Sequence, residues 1–265
     1  MIPKIIHYCW FGGNPLPKLA KRCIKSWKKY CPDYEIIRWD ESNFDISACP
    51  LYVRQAYEAK KWAFVTDYVR LKLVYEHGGI YMDTDVELIK SLDGMLGHKA
   101  FFGFENSGFG EDAYVATGLG FGAEKGASIL MDMMDDYRCI PFILEDGSID
   151  GTSCPVRNTE ALVRRGFVKS SELQEIDGIA LYPTDVFCPI CFLNGQKNIT
   201  ENTISIHWYS ASWFSKEIRK KQRKRWKKTR KLQRREFWRY LPNRILLKIL
   251  GEEKYAKLKN KTNRK

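Results

Sequence analysis

A helix that runs straight into a strand carrying two carboxylates constrains this chain more than any other feature. In "AKKWAFVTDYVRLKLVYEHGG", Phe64, Tyr68, Leu71 and Tyr75 recur at helical spacing, and Gly78 and Gly79 close the segment. The chain then enters "IYMDTDVEL", whose apolar run reads as a strand. Strand alternation would place Asp83 and Asp85 on one face and Thr84 on the other. Two like charges forced together call for a compensating cation. Hard carboxylate oxygens suit Mn²⁺ or Mg²⁺, ions that take further ligands from substrate phosphates.

The surroundings are those of a layered α/β domain. "KIIHYCWFGG" reads as a strand ending in a glycine turn, "PLPKLAKRCIKSWKKYCP" as an amphipathic helix with Leu19, Cys23 and Trp27 on one side, and "YEIIRWD" as a second strand. This β-α-β opening favours a largely parallel sheet, with ligands beyond the carboxyl ends of its strands. Further strands are expected at "KAFFGFEN", "YVATGLGFGA" and "GIALYP", with helices at "GASILMDMMDDY" and around "NTEALVRRG". There is no internal repeat.

Charge divides the chain in two. Residues 1–215 carry 22 Lys and Arg against 28 Asp and Glu, whereas 216–265 carry 22 against 4, so the net +12 is an acidic body with a basic tail. A single catalytic domain over 1–215 and a basic helical extension over 216–265 follow. Interleaved Trp226, Phe237, Trp238 and Tyr240 make the tail a candidate amphipathic segment for an anionic membrane surface. A solvated charge run and a nucleic-acid arm are the alternatives; no nucleic acid is expected, because the acidic body offers no supporting basic face. No apolar run approaches the ~20 residues that span a bilayer. Eight scattered cysteines without a secretory leader read as reduced thiols, and the "CPIC" pair, Cys188 and Cys191, lacks the partners of a zinc set.

Several chemistries share an Asp-x-Asp. A calcium loop of the EF-hand type requires Gly where Leu88 stands. An aspartate-based phosphohydrolase would also present the pair after a strand, but nearer the N-terminus. The whole of "AFVTDYVRLKLVYEHGGIYMDTD" resembles glycosyltransferase family 32, the DXD-containing sugar transferases of capsular-polysaccharide type, related to yeast-type mannosyltransferases and clostridial glucosylating toxins. The resemblance rests on Ala63, Asp67, Arg70, Leu73, Gly78, Gly79, Tyr81, Asp83 and Asp85 in the family's order. "IPKIIHYCWFGG" and "IHWYSASW" resemble its first strand and closing segment, so the likeness spans about 1–215.

The resemblance implies a Rossmann-like nucleotide-diphosphosugar transferase (GT-A) fold. It implies a metal held by Asp83, Asp85 and His207, and a nucleotide-sugar donor contacted by Trp10, Asp67, Arg70, Tyr81, Asp83 and Ser212. Asp67, Arg70, Asp85 and Trp213 would act at the transferred sugar and the leaving diphosphate. Spacing alone reads Asp67 and Arg70 as an intrahelical ion pair. Retention by front-face substitution, a UDP-sugar, and a glycan or lipid-linked acceptor at the inner face of the cell membrane are further implications. Glu105 and Asn106, ending "FFGFEN", are the acceptor-side candidates.

Overall fold

The computed structural model describes residues 1–108, 113–210 and 215–235. Contacts divide it into a body of residues 1–193 and 197–215, and a second unit formed by 194–196 with the helical residues 216–235.

The body begins with β1 (Ile5–Cys9), α1 (Lys18–Tyr30) and β2 (Glu35–Trp39). Helix α1 buries Ala20, Cys23 and Trp27, a stripe at helical spacing, and places Lys28 and Lys29 in its last turn, where cations suit the helix dipole. Next come α2 (Leu51–Glu58), α3 (Trp62–His77), β3 (Gly79–Tyr81) and β4 (Val86–Leu88). The remaining elements are β5 (Ala100–Glu105), β6 (Tyr114–Val115), β7 (Phe121–Ala123), α4 (Ser128–Asp135), α5 (Cys154–Val163), β8 (Gln174–Ile176), β9 (Ile179–Tyr182), α6 (Thr184–Phe187) and β10 (Ser205–His207).

The main sheet runs β2-β1-β3-β7-β5-β9-β8, with β6 paired to β5. Strand β1 is parallel to both β2 and β3; β7 is antiparallel to its neighbours β3 and β5; and β5 is parallel to β9. A separate ribbon pairs β4 with β10 antiparallel, setting His207 opposite Val86. Trp27 in α1 anchors this ribbon: it is fully buried, and its Nε1 donates to Val86 O at 2.8 Å.

Helix α3 packs against α2, α4 and strands β1, β3 and β7. The stripe expected from the sequence is therefore too narrow: Val65, Val69, Leu73 and Val74 are buried as well as Tyr68 and Leu71, while Phe64 and Tyr75 are only partly covered. Gly78 ends the helix at φ +70°, and Gly79 follows at φ +100°, so close to β1 that a β-carbon would meet Ile5 O at 2.8 Å. His7 fastens this turn, with Nε2–H donating to Gly78 O at 2.9 Å and Nδ1 accepting from Trp39 Nε1 at 3.1 Å.

Two expectations are corrected. Asp83, Thr84 and Asp85 lie in a turn between β3 and β4, closed by Val86 N–H donating to Asp83 O at 3.0 Å, and not in a strand. "YVATGLGFGA" is not one strand but β6 and β7 separated by a short helical turn at Thr117–Leu119, because Gly120 adopts φ +112° and redirects the chain. The eight cysteines form no disulfide, and Cys188 and Cys191 are both buried.

In the second unit, residues 216–235 are helical. Trp226 is its buried residue, set against Gly195, where a β-carbon would approach the indole to 2.5 Å. Among the described residues, no helix is long and apolar enough to cross a membrane. Phe237, Trp238 and Tyr240 lie outside the described residues.

Candidate active site

The carboxyl ends of β1 and β3 open into a cavity of about 590 Å³ whose wall includes Trp10, Asp67, Arg70, Tyr81, Asp83, Asp85, Glu105 and His207. These residues, from five separate stretches, thus reach one space, at the sheet end where α/β folds bind ligands.

Helix α3 supplies a buried charge pair. Arg70 Nη2 lies 2.9 Å from Asp67 Oδ1 and 3.6 Å from Asp83 Oδ1, so one guanidinium links the helix to the carboxylate turn. Its Nε donates to Thr66 O at 2.9 Å, and its Cζ stands 5.1 Å from the Tyr81 ring centroid. Behind it, Asn158 Nδ2 donates to Thr117 Oγ1 at 3.1 Å, and Thr117 Oγ1 sits 3.5 Å from Arg70 Nη1. Burial pushes the Asp67 carboxyl up to about 6 despite Arg70 beside it.

Strand β3 delivers Tyr81, whose hydroxyl donates to Asp83 Oδ1 at 3.0 Å. Burial also raises the Asp83 carboxyl; Arg70 opposes the rise and Asp85 adds to it. Asp85 behaves in the opposite sense. Burial would raise it, but His207 and the Ser210 N–H outweigh that and hold it well below the usual carboxylate range. The contacts are short: His207 Nε2 to Asp85 Oδ1 is 3.3 Å, and Ser210 N–H donates to Asp85 Oδ2 at 2.7 Å. Burial lowers the His207 imidazole but Asp85 raises it more strongly, so it titrates above its ordinary range; a metal ion taking His207 as a ligand would have to displace that proton.

One ligand atom each from Asp83, Asp85 and His207 lies within 4.8 Å of the others. His207 Nδ1 is buried without a hydrogen-bond partner among the described residues. Among the described wall residues, four carboxylates (Asp67, Asp83, Asp85 and Glu105) face the Arg70 guanidinium and the His207 imidazole, an excess of acidic groups that a cation entering with a diphosphate would balance. Two oxygens and an imidazole suit Mn²⁺ or Mg²⁺, and the residues present fit such an ion.

Trp10 follows β1 directly and reaches the cavity wall, its Nε1 donating to Asn14 O at 2.5 Å. Glu105 ends β5 and also lines the cavity, its carboxyl raised by burial. Asn106 is not on the wall: its carbonyl accepts from Phe192 N–H at 2.8 Å and its N–H points to Cys188 Sγ at 3.5 Å. Ser212 and Trp213 lie outside the described residues. Sequence reasoning missed Gly118, Thr117, Asn158 and the Ser210 amide. Only Gly118 left a trace, in the glycine density of "TGLGFG".

Residues 17–102 match the family model described as a glycosyltransferase sugar-binding region containing a DXD motif. The match holds α3, the double glycine and the carboxylate turn together. Inositol phosphoceramide mannosyltransferase 3 of Schizosaccharomyces pombe is 36% identical over 104 residues, covering 38% of this chain and 29% of that protein. An uncharacterized glycosyltransferase, L373, of Acanthamoeba polyphaga mimivirus is 33% identical over 111 residues, covering 38% of this chain and 43% of that one. The matched stretches thus span less than half of these relatives' lengths. Among solved structures, the PaToxG glycosyltransferase aligns with a TM-score of 0.45 at 18% identity, over 62% of this chain and 70% of that chain.

Proposed function

We propose that the chain is a metal-dependent glycosyltransferase that moves a hexose from a nucleotide-diphosphosugar, UDP-linked in the favoured case, to a glycan or lipid-linked acceptor. One observation carries the reading: the Asp83, Asp85 and His207 cluster and the Asp67–Arg70 pair line the same cavity, joined through Arg70. An ion cluster without a sugar-sized polar pocket would fit many reactions. A pocket whose carboxylate and guanidinium are fixed in place beside it fits sugar transfer, and the family match over 17–102 agrees.

In this reading Asp83, Asp85 and His207 hold Mn²⁺ or Mg²⁺, which supplies Lewis-acid stabilisation of the negative charge on a departing diphosphate. Asp67 accepts hydrogen bonds from hydroxyls of the transferred sugar, and Arg70 donates to them with the planar fork that a lysine lacks. Tyr81 fixes Asp83 by its hydroxyl, and the Ser210 amide fixes Asp85. Trp10 offers an aromatic face for the donor base. Asp67 and Asp83 have these binding roles, and a double-displacement nucleophile is not evident among the residues named. A front-face substitution with retention, in which the leaving diphosphate receives the acceptor proton, suits that arrangement. Glu105 stands on the acceptor side.

The basic helix suggests where this happens. Of residues 216–235, thirteen are Lys or Arg and one is Glu. Attraction to anionic lipid at the inner face of the cell membrane would bring the body to a lipid-carried acceptor.

A thermal-shift screen of nucleotide sugars with and without Mn²⁺ tests the reading. Binding to the native state raises apparent stability, so one donor with Mn²⁺ should raise Tm and the same donor with chelator should not. Equal shifts with and without the ion would overturn it.

A further inference from the structure

The loop that carries Trp10 to the cavity is held from outside by one carboxylate. After β1 the chain runs through Trp10, Phe11, Gly12, Gly13 and Asn14, and the first two and the last of these line the cavity. Gly12 and Gly13 have φ of +88° and +67°, left-handed values that glycine adopts with little bias. Two such residues in succession make the loop pliable; within it only the Trp10 Nε1–H to Asn14 O and Asn14 Nδ2–H to Gly12 O bonds restrain the path. A tether from outside adds a fixed point.

Glu41 is placed to do so. Gly12 N–H donates to Glu41 Oε1 at 2.6 Å, and the Tyr57 hydroxyl donates to the same oxygen at 3.2 Å. The Tyr57 ring meets the Trp62 ring edge-on, with centroids 5.3 Å apart. Trp62 in turn covers the loop so closely that a β-carbon on Gly12 would lie 2.8 Å from its Cε2. Glu41 itself sits in a turn after β2 that is fixed independently: Asp40 Oδ1 accepts from Ser42 N–H at 3.0 Å, and Asn43 Nδ2 donates to Arg38 O at 2.9 Å. The carboxylate is therefore a rigid peg for a pliable loop, and a charge-assisted bond to a backbone amide is among the stronger hydrogen bonds available.

We propose that Glu41 is a positioning residue for the nucleotide donor: by holding the Gly12 amide it fixes the Trp10–Asn14 loop in the conformation that presents Trp10 to the cavity. The inference rests on the reading of Trp10 as a donor contact. Glu41 is exposed and touches neither the carboxylate cluster nor the Asp67–Arg70 pair, so its effect reaches the site only through the loop.

The test is amide hydrogen exchange of the peptide containing residues 10–14 in the full chain, together with titration of UDP and GDP in the presence of Mn²⁺. Glu41→Ala should speed exchange in that peptide about tenfold and weaken the tighter nucleotide about tenfold, the order expected for one lost charged hydrogen bond. Glu41→Gln keeps a carbonyl that accepts from both donors and should restore both readouts, a rescue that a general loss of stability would not show. Exchange unchanged in Glu41→Ala, or faster exchange with nucleotide affinity unaltered, would overturn the inference. Trp10→Ala separates the two claims: if it leaves nucleotide affinity intact, the donor reading of Trp10 fails, whatever the exchange experiment reports about the tether.

Discussion

Gly118 lies directly against Asp83. The Asp83 N–H donates to Gly118 O at 3.3 Å, and a β-carbon on Gly118 would overlap Asp83 Oδ2 and fall 3.0 Å from Arg70 Nη1. Glycine here is a condition for the carboxylate turn to meet the guanidinium. Gly118→Ala should keep the fold but displace Asp83, and a misplacement of about 1 Å at a reacting site costs on the order of 10²-fold in rate. Turnover of the nucleotide sugar, beside an unchanged circular dichroism spectrum, checks this; near wild-type turnover would contradict it.

Arg70 is expected to be intolerant of lysine. Its Nη2 serves Asp67 and Asp83 while its Nε serves Thr66 O, and a single ammonium cannot reach all three. Arg70→Lys should lower turnover about 10- to 100-fold, because correctly placed groups contribute factors of this size. Arg70→Ala leaves two partly buried carboxylates without their guanidinium and should destabilise the protein by roughly 1–3 kcal/mol, measured by denaturant unfolding.

His7 couples the fold to pH. Burial lowers its pKa from 6.5 to about 4, so the native state keeps it neutral while the unfolded chain protonates it. The unfolded state therefore binds more protons between those values. Stability contributed by neutral His7 is full above pH 6.5 and is lost as pH falls from about 6.5 towards 4, by roughly 3 kcal/mol at about 1.4 kcal/mol per unit. Urea unfolding at pH 7.5 and pH 5 should show the drop in the native protein and a smaller one in His7→Gln.

Removal of residues 216–265 should abolish binding to vesicles of anionic phospholipid and leave metal-dependent hydrolysis of the soluble donor within about twofold, since electrostatic attraction near a membrane is on the order of 1 kcal/mol per cation. Cosedimentation measures the first, and release of nucleoside diphosphate the second. Vesicle binding that survives the truncation would place the membrane contact elsewhere.

What could be read from the sequence was local. The β1-α1-β2 opening, α3 with its glycine stop, and the crowding of Asp83 with Asp85 all follow from periodicity and residue type within short windows. The strand expected to carry the pair is instead a turn, and they converge because Val86 N–H closes it on Asp83 O. The long-range half was hidden. His207 reaches Asp85 only because β10 pairs with β4, and no periodicity in "TISIHWYS" states that register. The family resemblance named His207 where the residues alone could not. Gly118 and the Ser210 amide were missed for a simpler reason: their contributions are a missing side chain and a backbone N–H, whose roles residue identity does not state.

Sugar transfer should depend on the Asp83, Asp85 and His207 cluster. Nucleotide-sugar turnover should be measured across a Mn²⁺ titration in the full chain and in Asp85→Ala, with folding of the variant checked by its unfolding midpoint. The native protein should show saturable Mn²⁺ activation and the folded variant a loss of at least about 10²-fold, as expected when Lewis-acid stabilisation worth several kcal/mol is removed. Full activity in Asp85→Ala, or turnover indifferent to Mn²⁺ and chelator, would contradict that dependence.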